Sequence, residues 1–574
     1  MKFRDAFLLL FLAGLAVNSV LDDAYAQGYE RPPFAHEVSD LQSDARILYG
    51  ELPSGLRYAV MENETPEGTA SMRLRIAAGS LNETDDELGL AHYLEHMAFN
   101  GSKNIPEGEM IKRLERHGLS FGADTNAHTS FDETVYKLNL PNVDDEVVDE
   151  AFMLMRETAS NLTLAQDAID RERGIIHSEK RTRNNAAYKR TIAEWDFYTR
   201  GSGLIDRLPI GTDESIESLQ APQFRAFYDA NYHPEKAFFV FVGDLPAERV
   251  VAQIEATFAD WQGATGPAPI PVLPGADMRP GDVGYYYDPE LMSSVTLAVL
   301  LPFEQRQDTR ENRRTRLVNF IAMQMLADRV RKLSHEPDSV IVSSSALHGS
   351  MFDTAYVSRL SIRSEPTDWS EALGIGEQQL RRALDFGFDQ SEMDLRIRDL
   401  RRRYETAAKS AATPLTHGRM GSGMIDTILG AYESERVLED PRDALTRFEE
   451  DVETITLEEV ERAFHAMWAG AESPMIYLSS AIEIDNPEIA VLNAFQLSRT
   501  IPVSKQEDSE LAAFAYSDFG EPGEIVERSH LSDVDAHTVR FANNVMLTVK
   551  QTDFVDDQVL VVASVGDGAL SLPR

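Results

Sequence analysis

Residues 88–101 read LGLAHYLEHMAFNG, and the five residues His92-Tyr93-Leu94-Glu95-His96 within them decide how the rest of the chain is read. Residues on a helix advance by about 100° each, so His92 and His96 stand one turn apart on one face with Glu95 between them in angle. Two imidazoles so placed can reach one ion. Leu90, Leu94 and Met97 recur at i, i+4 and i+7 on roughly the opposite face, which packs the helix and turns the histidines toward a cleft; Gly101 is placed to stop it. The bland reading is a pair of solvated or core histidines beside a chance glutamate. With 13 histidines in 574 residues, that spacing arises by accident with a probability of roughly 3%.

A hydrolytic zinc ion takes three protein ligands and a water, so two histidines leave the site one ligand short. The chain has no cysteine, which restricts the third ligand to histidine or carboxylate and excludes disulfides, iron–sulfur clusters and thiol catalysis. A helix predicted over Leu164–Lys180 has an apolar stripe at Ala165, Ala168, Ile169, Ile175 and Ile176, and Glu172 and Glu179 complete its heptad spacing. Carboxylates turned toward a core need a cation or strong donors. If the helix is rotated, they are ordinary surface acids. Seven residues at about 1.5 Å of rise separate the two by about 10 Å, so both cannot hold one ion: one is a ligand and the other supports the site.

The length allows roughly three to five domains. Apolar content of 43% supplies several cores, and 95 acidic against 55 basic residues give a net charge of −40, which repels nucleic-acid phosphates and anionic lipids. Nucleic acid is therefore excluded as a partner. Lys2 and Arg4, an apolar run from Ala6 to Val17, and Ala24-Tyr25-Ala26 read as a cleavable export signal over residues 1–26. The run is shorter than the roughly 18–20 residues that span a bilayer, so an exported chain without stable membrane insertion is expected, periplasmic in a Gram-negative host.

A first domain is expected over residues 45–261. It includes a half-buried strand in which Met72, Leu74 and Ile76 alternate with Arg73 and Arg75, and helices around Met110–Arg116 and Asp145–Ala159. Residues 262–284 carry five prolines and five glycines and read as a linker. A second domain follows over 285–500, with a strand at Ser294–Leu301 and a helix at Arg316–Leu333, then an acidic, loop-like linker over 501–537. Residues 541–570 align without a gap on 52–81, Val549 falling on Val60 at an offset of 489, so 538–574 read as the start of a third repeat domain. About 35 residues do not close a domain. The expectation is a truncated portion of a longer tandem protein, or one whose final strands need a partner.

The first motif is followed by RERGIIHSE (Arg171–Glu179), and further stretches accompany it: GADTNAHT (Gly122–Thr129), RLPIG (Arg207–Gly211) and the run from Phe227 to Asp244. Together they make the chain resemble the pitrilysin/insulinase family of zinc metallopeptidases, in its bacterial periplasmic branch. The resemblance implies an α+β fold of tandem two-layer domains, mainly antiparallel sheet with helices, like that of mitochondrial processing peptidase. It implies one Zn2+ per catalytic domain on His92, His96 and Glu179, Glu95 as general base, and Glu172 acting without touching the ion. It places Asn126 and Ala127 along a sheet edge to which substrate adds as a strand. His128 reads as an exposed loop histidine. The second domain is the non-catalytic homologue of the first. The implied activity is a zinc-dependent endopeptidase or oligopeptidase acting on peptides or small unfolded proteins. Its chamber is completed by a missing C-terminal half or a partner subunit, without which peptides are cleaved poorly. The alternative is a non-catalytic scaffold subunit of the same family.

Overall fold

The computed structural model describes residues 31–120, 122–418, 423–506, 518, 520–552 and 559–566; the expected export signal lies outside them. Strands β1 (Ile47–Glu51), β2 (Arg57–Glu62), β3 (Ala70–Ile76), β4 (Thr125–Thr129), β5 (Thr134–Leu140) and β6 (Ala237–Gly243) form one sheet in the order β1-β2-β6-β3-β5-β4. Only the β2/β6 pair is parallel. Strands β7 (Val283–Tyr287), β8 (Ser293–Pro302), β9 (Ile341–Met351), β10 (Ala355–Ser364) and β11 (Met475–Ser480) form a second sheet in the order β7-β11-β8-β10-β9, again with one parallel pair, β7/β11. Without β1, the two orders coincide strand for strand. Two α+β layers of mainly antiparallel sheet, built to one plan, follow each other along the chain.

Among the described residues, helices of eight or more residues are α1 (Leu90–Met97), α2 (Glu109–Arg116), α3 (Asp145–Ser160), α4 (Gln166–Arg183), α5 (Ala186–Thr199), α6 (Ala221–Asn231) and α7 (Ala247–Phe258) in the first part, and α8 (Arg310–Leu333), α9 (Trp369–Phe386), α10 (Gln390–Ser410), α11 (Met424–Glu433), α12 (Pro441–Val452), α13 (Leu457–Met467) and α14 (Pro487–Arg499) in the second. The segment between Trp261 and β7 has neither helix nor strand, as its prolines dictate. The position that α1 holds after β3 is held after β8 by α8, which has no histidine.

Strand β3 departs from the half-buried reading. Met72, Leu74 and Ile76 enter the main core as expected, but Arg73 and Arg75 are covered as well. The second face of the sheet is closed by α11, which comes from far along the chain and packs Ile425, Ile428 and Leu429 on Ala59, Val135 and Val240. Alternation of charge and apolar residues signals a water-facing side only when nothing covers it. Here each arginine meets a carboxylate instead: Arg73 Nε donates to Asp426 Oδ1 of α11 at 3.0 Å, and Arg75 Nε to Glu133 Oε2 at 2.5 Å with Glu433 of α11 at 3.9 Å. The exchange is reciprocal. Helix α5, from the first part, lays Phe197 and Tyr198 on Ala298, Met475 and Tyr477 of the second sheet.

The described residues beyond Gln506 belong to a second compact unit. Strand β12 (Ile525–Leu531) lies within the stretch expected to be a loop; its sequence IVERSHL has no clean alternation, and pairing with β13 (Ala536–Phe541) holds it extended. Strand β13 pairs in turn with β14 (Met546–Val549), His537 opposite Val549. In the first sheet Leu48 is opposite Val60, so the β1–β2 register reappears at the same offset of 489. Parts of the aligned stretch, Gly568 and Leu570 among them, lie outside the described residues.

The Arg73 pair yields a stability prediction. Asp426→Asn leaves a buried guanidinium without its counter-charge and should cost roughly 2–4 kcal/mol, the lower range reflecting partial exposure of Asp426. Urea unfolding followed by circular dichroism reads this as a lowered midpoint, and an unchanged midpoint would mean the pair contributes nothing net.

Candidate metal centre

Helix α1 is set by its start. Gly89 caps it at φ 92°, a left-handed conformation that favours glycine. The Glu83 carboxylate accepts the Gly89 and Ala91 N–H groups at 2.8 Å each, satisfying donors that a helix N-terminus leaves free. The RLPIG segment braces the same turn: a Cβ on Gly211 would lie 2.4 Å from the Leu88 carbonyl oxygen, so only glycine permits the approach. Leu90, Leu94 and Met97 are buried in the core as their spacing predicts. The helix ends at Met97, and Gly101, at φ 108°, turns the chain three residues after its cap rather than stopping it.

Helix α4 packs across α1, with the Tyr93 hydroxyl donating to the Ile169 carbonyl. Ala168, Ile169, Glu172 and Ile176 form its buried stripe. Ile175, expected in that stripe, is 54% exposed, because it stands about 100° around the helix from Ile176. The two glutamates face the histidines. His96 Nε2 lies 3.3 Å from Glu179 Oε2, and His92 Nε2 3.6 Å from Glu179 Oε1. Glu172 Oε1 meets His96 at Nδ1 instead, at 2.8 Å, on the far side of the ring. Donor atoms of His92, His96 and Glu179 all lie within 4.8 Å of one another.

This donor set fits zinc. Ligand atoms about 2.1 Å from a tetrahedral ion stand about 3.4 Å apart, the separation found between each Nε2 and the Glu179 carboxylate. Glu172, occupied at Nδ1, fixes which His96 nitrogen is left to face the cluster. Among the protein groups alone, burial pulls the His96 pKa down, but hydrogen bonds to Glu172 and Glu179, with Glu95 nearby, outweigh it and raise it to about 9. Hydrogen bonds from His92 and then His96 hold Glu179 well below the usual carboxylate range against its partial burial, and Arg183 pairs with it at 2.5 Å.

Glu95 is buried on the same helix, and its Oε2 accepts the Thr129 hydroxyl at 2.7 Å. Thr129 closes β4, the outermost strand of the sheet, so the motif lies beside an edge. Asn126 and Ala127 stand on β4 opposite Lys137 and Tyr136 of β5. His128, expected in a loop, is also in β4, partly exposed and 3.6 Å from Glu133. Two neighbours of the cluster were not singled out from the sequence. Asn100 donates to Glu172 Oε2 at 2.9 Å, and its place one turn beyond His96 was a usable signal; Thr129 had none, since its contact crosses from strand to helix.

Residues 58–195 match the family model described as "Insulinase (Peptidase family M16)", and residues 218–400 that described as "Peptidase M16 inactive domain". The chain belongs to the M16 peptidase family. Both motifs of this M16 chain fall in the first match, and the second includes β8 to β10, where the His-x-x-Glu-His motif does not recur. "Probable zinc protease PqqL" of Escherichia coli is 35% identical over 215 residues, 38% of this chain and 23% of that protein. "Zinc protease PQQL-like" of Arabidopsis thaliana is 25% identical over 539 residues, 92% of this chain and 52% of that protein. The crystal structure of the periplasmic protease PqqL from Escherichia coli shares the fold, with a TM-score of 0.75 at 21% identity over 89% of this chain and 56% of that one. The M16 chain thus spans about half or less of the length of these relatives.

The raised His96 pKa sets a pH dependence. In the chelator-treated protein the stabilisation from its protonated form is fully present below about pH 6.5, the unfolded value, and is lost as pH rises through about 9. Melting temperature should therefore fall across that window more steeply than in His96→Gln; equal slopes in the two proteins would remove the carboxylate contacts as the cause.

Proposed function

We propose that this chain is a zinc-dependent endopeptidase or oligopeptidase, acting on peptides or small unfolded proteins, with His92, His96 and Glu179 holding the ion. The observation that carries the reading is the convergence of both Nε2 atoms on the Glu179 carboxylate beside a free sheet edge. A zinc ion held there would supply Lewis acidity, making an attacking water more acidic and a peptide carbonyl more electrophilic. Glu95 then acts as general base: it takes a proton from the attacking water and returns it to the departing amine. The Thr129 hydroxyl holds one oxygen of Glu95 and leaves the other for that transfer. Glu172, steadied by Asn100, keeps His96 turned. A substrate added to β4 as a strand would meet Asn126 and Ala127 through main-chain hydrogen bonds, so affinity would depend little on side chains.

The Escherichia coli relative of known structure is named as a periplasmic protease, which supports a periplasmic site of action. A second half, covalent or supplied by a partner subunit, is proposed to complete the substrate chamber. The scaffold alternative is disfavoured because a scaffold has no need of the base beside the donor cluster.

Glu95→Gln should keep zinc, read by metal analysis, and lose about 10²–10⁴-fold in cleavage of a quenched fluorescent peptide. Substantial residual activity would remove Glu95 as base. Glu179→Gln should lose more zinc than Glu172→Gln, whose affinity should fall by roughly 10- to 100-fold. The reverse order would exchange their roles.

A further inference from the structure

The face of the second sheet that α5 covers carries charge in a way the first sheet does not. Pairing places Ser345, Ser361, Thr296 and Tyr477 in one row across β9, β10, β8 and β11. Residues of the other parity, Val295, Leu297, Leu360 and Ile362, point into the core. Small hydroxyl side chains leave space beneath α5, a cavity of about 320 Å³. Arg359 and Arg363 of β10 and Arg190 and Glu194 of α5 line it.

Three guanidinium groups face one carboxylate there. Glu194 pairs with Arg359 at 3.6 Å, and Arg363, exposed to solvent at the mouth of the cavity, has no ion-pair partner among the described residues. Arg190 Nε and the hydroxyl of Tyr477, a residue only 4% exposed, are buried without hydrogen-bond partners. Buried polar atoms are nearly always satisfied, so these two donors call for an acceptor, and the guanidinium groups at the open side of the cavity favour one that carries negative charge. The first sheet serves as an internal comparison: there the exchanged helix α11 brings Asp426 and Glu433 onto Arg73 and Arg75. In the second sheet the exchanged helix brings Arg190 together with Glu194 and so adds no net negative charge to the arginines of β10, in a chain whose net charge is −40. The same helix closes the end of the candidate substrate edge, since Trp195 packs against Phe131, two residues beyond Thr129, with ring centroids 6.1 Å apart.

We propose that this cavity is an anion subsite that takes a carboxylate of the bound peptide, either an acidic side chain or the C-terminal carboxylate. This rests on the peptidase reading for the identity of the ligand, and its test is built on binding rather than turnover. In the zinc-loaded Glu95→Gln chain, anisotropy would compare three labelled peptides of one sequence: neutral and amidated, acidic and amidated, and neutral with a free C-terminus. One acid-bearing peptide should bind about tenfold tighter than the neutral amide, and which one does so names the source of the carboxylate. The preference should vanish in Arg190→Gln/Arg363→Gln, whose side chains hold no carboxylate that their loss would strand; circular dichroism and melting temperature would check its fold. Inorganic phosphate should compete with the acid-bearing peptide and leave the neutral one unaffected. Equal affinity for all three peptides, or a preference that survives the double substitution, overturns the proposal. So does phosphate binding without any discrimination among peptides. Failure of the peptidase reading looks different: no peptide is cleaved by the zinc-loaded parent chain, while the binding preference remains measurable.

Discussion

The candidate metal centre depends on one requirement: a carboxylate on the inward side of a helix must find a cation or a donor. Helix α4 turns Glu172 and Glu179 toward α1, and α1 answers with two imidazoles a turn apart. Placing the pair this way links the rotation of the two helices, because a turn of either would separate the carboxylates from the imidazoles that partner them. The Glu83 cap and the Gly89–Gly211 contact then set where α1 begins, and with it the height of the histidines above the sheet. Packing and chemistry constrain the same residues.

Local spacing made this part of the molecule legible in advance. The histidines, Glu95 and the two glutamates belong to single helices, where a period of 3.6 residues predicts who shares a face. The α+β class, β3, α3, α8 and the proline-rich connection follow from patterns of similar reach. What escaped notice depends on partners hundreds of residues away. Arg73 and Arg75 look like water-facing positions until α11 is laid over them, and nothing near them in the chain announces Asp426. Thr129 escaped for the same reason on a smaller scale, since its role requires knowing that β4 ends beside α1. Strand β12 is not legible in its own pattern because pairing with β13 is what makes it a strand.

The duplicated sheet plan gives these long-range contacts a common logic. Apart from β1, each half contributes five strands in the same order, and each lends the other a helix that closes its remaining face. The histidine motif occurs in one half only. On the loaned helices the charges diverge: α11 neutralises the arginines it covers, and α5 leaves them in excess. One sheet plan, used twice, thus carries different chemistry on equivalent surfaces.

The exchange of helices also bears on how the chain reaches this arrangement. Strands β3 and β6 are complete by residue 243, yet the helix that seals their outer side is not made until residue 433, and α5 must wait for β11 at residue 475. During synthesis, neither half can finish before nearly the whole of both has emerged. Contacts of such separation slow folding and leave an unsealed β-face, apolar around Val135 and Val240, open to aggregation in the interval. The interlocked halves therefore form a single late-closing unit, whose sheet face stays open until α11 arrives.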